Sequence, residues 1–180
     1  WSSDVCSSDL PKNRLIELTK GSLTLGGLTV EPFSVSHDAA DPIGINVFAG
    51  NDKATVVTDT GVISDDILRR LDDTTLLVLE ANYDPHMLRF GPYQPFLKQR
   101  VASDEGHLSN EMAAQALLMM KRPNFMQVIL AHRSENNNNA VLVTQTIGKM
   151  LVDGGVRIGP EMKLQHGQPN EIVSIQSVKR

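Results

Sequence analysis

Apolar residues recur along this chain in two rhythms, one of strands and one of helices. SLTL and LTVEPFSVS flank Gly26-Gly27, and INVFAG and KATVVTD flank the GND segment 50–52, so each pair reads as a hairpin. TTLLVLEAN and MQVILAH are short, nearly unbroken apolar runs, the pattern of strands buried on both faces. EIVSIQSV alternates and predicts a final strand. Between them lie helical patterns. SDDILRRLDD sets Ile67, Leu68 and Leu71 behind a Ser64 cap. DPHMLRFG is a short helix stopped by Gly91-Pro92, and PFLKQRVAS is a second. SNEMAAQALLMMKR is capped by Ser109 or Asn110 and followed by Pro123. AVLVTQTIGKMLVDGG closes on Gly154-Gly155. Strands alternating with helices predict an α/β (α+β) architecture with βαβ units. No repeat and no long linker interrupts it.

The strand ends carry the chemistry. FSVSH, ATVVTD and MQVILAH finish on His37, Asp59 and His132. A strand end is rigid and opens onto the edge of a sheet, so it can hold imidazole and carboxylate at fixed geometry. Two imidazole nitrogens and one carboxylate oxygen suit zinc or manganese, and no thiolate is offered. Each residue also has a plainer role. A lone histidine at a strand end is commonly a surface or capping group, and Asp-Thr-Gly is ordinary turn chemistry.

Composition changes the picture little. A hydrophobic fraction of 41% and a charged fraction of 21% are ordinary for a globular domain. No apolar run approaches a membrane span and no signal-peptide pattern is present, which suggests a cytoplasmic protein with no membrane partner. The net charge of −4 leaves no broad basic footprint for nucleic acid. Residues 1–10, WSSDVCSSDL, hold a near-repeat without hydrophobic period and read as a non-native or disordered leader. The only Trp and the only Cys, Trp1 and Cys6, fall inside it. Residues 11–180 thus offer no disulfide, no thiolate metal site and no cysteine nucleophile.

SHDAADP, TDTG, LEANYDPHML, GHLSNEMAA and HRSENN, in that order, resemble the metallo-β-lactamase superfamily of metal-dependent hydrolases. Within it they more closely resemble the WalJ/YycJ branch, described as DNA 5′-exonucleases. No one motif is specific alone; the five in order carry the resemblance, from about residue 15 onward. It implies an αββα sandwich and two divalent metal ions, zinc or manganese. His37 and His132 would be ligands, and Asp59 would bridge the two metals. The family's H-x-H-x-D-H run does not occur here, and the five histidines at 37, 86, 107, 132 and 166 stand far apart. The resemblance therefore implies that residues 11–180 are the C-terminal portion of a single domain. The half with H-x-H-x-D-H would be missing, and the fragment would be inactive by itself.

Further roles follow from the same resemblance. GHLSN is similar to the G-H-S-T segment of the tRNase Z relatives, where the histidine gives a proton to the leaving oxygen. LEAN is similar to their H-E-A-T-F segment, whose carboxylate supports that histidine. His107 and Glu80 become the catalytic pair, although His107 also suits a helix start and Glu80 a structural acceptor. Asp38 is either a group that orients an imidazole or a turn residue. Asn82, Asn136 and Asn137 would orient His132 or meet substrate, unless they only shape the loop. Arg133 stands where the family usually has Leu, beside a ligand, where a cation could meet phosphate or solvent. His86 and His166 match nothing. The implied reaction is phosphodiester hydrolysis with DNA as substrate partner. A thioester, lactone or small-phosphodiester hydrolase stays open, as does a metal-free binding module, because one fold hosts many chemistries. Nothing in the sequence sets the oligomeric state.

Overall fold

The computed structural model describes residue 18, residues 21–167 and residues 172–175. The leader 1–10 lies outside the described residues. Among them the chain runs β1 (Leu23–Leu25), β2 (Leu28–Ser34), β3 (Ile43–Ala49), β4 (Asp52–Val57), α1 (Asp65–Leu71), β5 (Leu76–Glu80), α2 (Pro85–Phe90), α3 (Pro95–Val101), α4 (Asn110–Met119), β6 (Met126–Ala131), α5 (Ala140–Asp153) and β7 (Met162–His166). The strands form one mixed sheet in sequential order. β1 to β4 pair antiparallel, as hairpins must, and β4 to β7 pair parallel across helical crossovers. No helix among the described residues is long and apolar enough to cross a membrane.

The caps fall where the side chains allow. Ser64 begins α1 and accepts from the Ile67 N–H; Asp84 does the same for α2 through Met87. Of the two candidates at α4, Ser109 is the cap, accepting from Met112 N–H, and Asn110 is the first helical residue. Asn139 caps α5 through Leu142 N–H.

The helices bury one face of the sheet. Register sets Leu77 beside Val128 and Leu79 beside Leu130. These four, with Val57 and Met162, pack against Ile67 and Leu71 of α1, Leu117 of α4, and Ile147 and Leu151 of α5. Period-2 alternation sends the intervening residues to the opposite face. There Ile45, Val56 and Val78 lie side by side, and Val56 is 39% exposed.

One expected element is corrected. EIVSIQSV does not supply the last strand: residues 172–175 have no strand structure, and the rest of that stretch lies outside the described residues. The seventh strand is MKLQH, which pairs with β6 so that Met162 meets Met126 and is fully buried. Its two apolar residues, Met162 and Leu164, make a weak pattern, and the edge of β6 selects it. Ser174 then gives its carbonyl to Gln165 Nε2 at 3.3 Å.

The two faces should respond differently to mutation. Leu79→Ala removes packed volume from the helix-covered face and should cost about 2–5 kcal/mol in a urea melt. Val56→Thr on the other face should cost less than about 1 kcal/mol. Equal losses would mean that both faces are packed alike.

Candidate metal centre

Strand direction explains why distant residues meet. β2 and β4 are both antiparallel to β3, and β5 and β6 are parallel to β4. Four strands therefore end on the same edge. The residues just beyond or at those ends are His37, Asp59, Glu80 and His132. His107 joins them by a different route. The chain leaves the sheet after β5, folds into α2 and α3, and returns. Asn82 N–H donates to the Leu108 carbonyl at 3.0 Å and Asn110 N–H to the Tyr83 carbonyl at 2.9 Å, so His107 comes back to the end of β5.

Backbone geometry aims the ligand candidates. Asp59 and His132 have φ of 55° and 53°, a left-handed conformation costly for residues with a Cβ and tolerated best by Asx and His. Two glycines let the loops cross. A Cβ on Gly61 would stand 2.2 Å from the Ser103 carbonyl oxygen, and one on Gly106 2.2 Å from that of Arg100. Gly61 N–H donates to the Ser36 carbonyl at 2.9 Å, tying the Asp-Thr-Gly turn to the end of β2. The glycines of TDTG and GHL thus mark close approach.

Glu80 is the hub. It is fully buried. Its Oε1 accepts from His107 Nδ1 at 2.6 Å and from His132 Nδ1 at 2.9 Å, and its Oε2 accepts from Thr60 N–H at 3.0 Å. Burial pushes this carboxyl up, but the bonds from His107, His132 and Thr60 outweigh burial and hold it below the ordinary glutamate value. It is therefore an anion that can only accept. His107 and His132 must donate from Nδ1, which leaves each Nε2 outward as a lone pair when the ring is neutral. His37 is set the same way, with Nδ1 donating to the Gly106 carbonyl at 3.0 Å. Asp59 Oδ1 lies 3.8 Å from His37 Nε2 and 3.4 Å from His132 Nε2. Imidazoles pinned at Nδ1 and open at Nε2 around a carboxylate are the donor set a divalent ion takes.

His37, Asp59 and His132 thus meet at one rim, through Asp59. Two triples among the described residues have ligand atoms within 4.8 Å of one another: His37–Asp59–His107 and Glu80–His107–His132. His107 belongs to both, since its ring lies 5.1 Å, centroid to centroid, from each of the other two. A cleft of about 510 Å³ opens over the rings.

The supporting residues divide. Asp38 lies 3.5 Å from His37 Nε2 and pairs with Arg100, whose hydrogen bond holds its carboxyl below the usual range. Asn82 donates to the His132 carbonyl at 2.8 Å and fixes its loop. Asn136 lines the cleft, with its amide 3.5 Å from the Tyr93 hydroxyl. Asn137 does not line it; it is buried and bonded to Ser134 and Asp84. Arg133 lines the cleft beside His132. His86 packs on Phe90, and His166 bonds Thr144; neither lines the cleft.

Three contributors escaped sequence reasoning: the Thr60 N–H, the Gly106 carbonyl, and a buried Asn110–Asn138 amide pair. Asn138 Nδ2 bonds the Ala81 and Asn82 carbonyls at 3.1 Å and Asn110 Oδ1 at 2.8 Å. Backbone groups leave no residue signature, and Asn138 sits in a run of four asparagines that reads as loop.

Comparisons with known proteins bear on the family and the fold. A family model described as "Beta-lactamase superfamily domain" matches residues 4–132. The chain is 35% identical over 155 residues to the exodeoxyribonuclease YycJ of Bacillus anthracis, covering 86% of this chain and 59% of that protein. It is 32% identical over 162 residues to the exodeoxyribonuclease WalJ of Streptococcus pneumoniae serotype 2, covering 90% and 60%. The chain thus spans about three-fifths of the length of these curated relatives. The crystal structure of the metallo-beta-lactamase fold protein YhfI from Bacillus subtilis superposes with a TM-score of 0.57 at 13% identity, covering 82% of this chain and 50% of that one.

The hub should leave a two-sided pH signature in chelator. The bond to Glu80 raises His132 above its ordinary 6.5 against the opposing effect of burial, so its contribution is full below 6.5 and lost as pH rises through the raised value. Glu80 is depressed, so its contribution is full above 4.5 and lost as pH falls through its lowered value. The thermal midpoint should therefore peak between these limits. His132→Gln should flatten the alkaline limb, and Glu80→Gln both limbs, because Glu80 is what raises His132; a profile unchanged by either would refute the hub.

Proposed function

The chain belongs to the beta-lactamase superfamily, and from that premise we propose that it serves metal-dependent hydrolysis of a phosphodiester in DNA, working from a 5′ end. One observation carries the hydrolytic reading. Three imidazoles are pinned at Nδ1, and His37 and His132 turn Nε2 toward Asp59 within 3.8 Å and 3.4 Å. The choice of DNA rests on the exodeoxyribonuclease names of two relatives at 35% and 32% identity.

His37 and His132, through Nε2, and Asp59 would hold divalent ions, zinc or manganese. Bound ions of this kind supply a more acidic water and neutralise charge at the phosphate. The chain's own residues do the rest. Glu80 keeps His37's neighbours, His107 and His132, in one tautomer. Its Oε1, 2.6 Å from His107 Nδ1, also fixes the orientation of that ring. As a water oxygen bonds to phosphorus and the P–O bond to the leaving oxygen breaks, protonated His107 gives its Nε2 proton to that oxygen and is left in the neutral Nδ1–H form. Asn82 keeps the His132 backbone in place. Arg133, Asn136 and Tyr93 line the cleft where the diester would lie.

In the intact protein, Asp59→Ala should abolish bound metal and DNA degradation together, because one carboxylate serves both ions. His107→Ala should keep its metal, measured by plasma mass spectrometry, while turnover falls roughly 10²–10⁴-fold. The loss should shrink on a nitrophenyl phosphodiester, whose leaving anion needs no proton. Loss of metal in His107→Ala would make His107 a ligand and remove the proton-donor role. Turnover of thioesters or lactones without any diester would overturn the phosphodiester reading.

A further inference from the structure

Within the excursion between β5 and α4, residues 85–103 carry cations and aromatic rings without a carboxylate, flanked by Asp84 on one side and by Asp104 and Glu105 on the other. From Pro85 to Ser103 there is no Asp or Glu, while Arg89, Lys98 and Arg100 are present. The whole chain, by contrast, carries a net charge of −4. Three aromatic residues, Phe90, Tyr93 and Phe96, recur at every third position among these cations. Two are uncovered: Phe90 is 67% exposed and Phe96 71%.

The segment is not loose. Leu88 of α2, Val101 of α3 and Tyr83 form a small core of their own, with Tyr93 and Leu97 packed on it. Lys98 donates to the Arg89 carbonyl at 2.8 Å, tying α3 to α2. Arg89 lies 5.4 Å from the centre of the Phe90 ring, and the His86 ring is tilted against it at 4.6 Å between centroids. The rings are therefore presented on a fixed support. Among the described residues neither Arg89 nor Lys98 has a carboxylate partner, whereas Arg100 is engaged by Asp38. The same segment forms a wall of the cleft through Tyr93, Leu97 and Arg100.

Exposed aromatic surface costs free energy in water unless something covers it. An unpaired base offers a matching π-face, and cations beside the rings take the phosphates. A paired duplex offers phosphates but hides its base faces. We propose that α2 and α3 form a platform for single-stranded nucleic acid, on which bases stack against Phe90 and Phe96 while Arg89 and Lys98 meet the backbone. It leads the strand toward the histidine cleft. This inference deepens the proposed function and rests on it for the identity of the strand as DNA.

The test is binding without turnover. A fluorescent 20-mer of thymidine is titrated with the intact protein in EDTA and followed by anisotropy. Phe90→Leu/Phe96→Leu keeps apolar volume but removes the rings. It should weaken binding about 10-fold or more, with an unchanged melting temperature. Phe90→Trp/Phe96→Trp should restore it. Arg89→Gln should reduce the slope of log affinity against log salt by about 0.7, the value of one single-strand phosphate contact. Equal binding by the Leu variant, no binding by the parent, or equal weakening on a 20-base-pair duplex would each overturn the platform. DNA degradation is assayed separately with metal. If the intact protein degrades no DNA but the binding pattern holds, the proposed function falls and the platform stands.

Discussion

One buried carboxylate organises this site. Glu80 has no exposed surface, and an isolated anion there would be untenable. It persists because three N–H groups converge on it: the rings of His107 and His132 and the backbone of Thr60. The same bonds that keep Glu80 ionised dictate what the histidines can do. Each must donate from Nδ1, so each presents Nε2 to the cleft. Thr60 is the residue after Asp59, so Glu80 also anchors the turn that carries the central carboxylate. A single interaction thus sets the tautomer of two rings and the position of a third ligand candidate.

That interaction depends on strand direction. The parallel run β4–β5–β6 puts Asp59, Glu80 and His132 at one edge, and the two hairpin turns of β2–β3–β4 add His37. Crossover helices are needed for parallel pairing, and their burial supplies the core. Site and stability are therefore linked through the sheet. The loops finish the arrangement at a local cost. Asp59 and His132 accept a left-handed backbone, and Gly61 and Gly106 permit contacts that a Cβ would forbid. Such strain is sustained only where the surroundings are firm, here by Asn82, which donates to the His132 carbonyl, and by the Ser36 carbonyl, which accepts from Gly61 N–H.

Much was legible in the chain because local rules governed it. The hairpins at Gly26-Gly27 and Gly50-Asn51, the Ser64 and Ser109 caps, and the apolar strands β5 and β6 follow from turn chemistry and periodicity. His37, Asp59 and His132 stand at strand ends that the same rules mark, whereas Glu80 and His107 stood out only through the resemblance of LEAN and GHLSN to known motifs. MKLQH rather than the cleanly alternating EIVSIQSV forms the edge strand because strand formation at an edge depends on the neighbour's register as well as on the alternation of the segment itself.

The sequence by itself determined which residue types stand at the strand ends, and with them the kind of chemistry available: imidazole and carboxylate without thiolate. It also fixed the order of elements and the family. Only the tertiary structure decided how those groups relate. That His107 and His132 share one oxygen of Glu80, that His37 leans on the Gly106 carbonyl, that Asn136 lines the cleft while Asn137 is buried, and that Asp38 pairs with Arg100 are facts of three-dimensional proximity. The partners are 27, 52, 69 and 62 residues apart in the pairs His107–Glu80, His132–Glu80, His37–Gly106 and Arg100–Asp38. Residue type is written locally, but a hydrogen bond across such separations exists only once the sheet has aligned both ends.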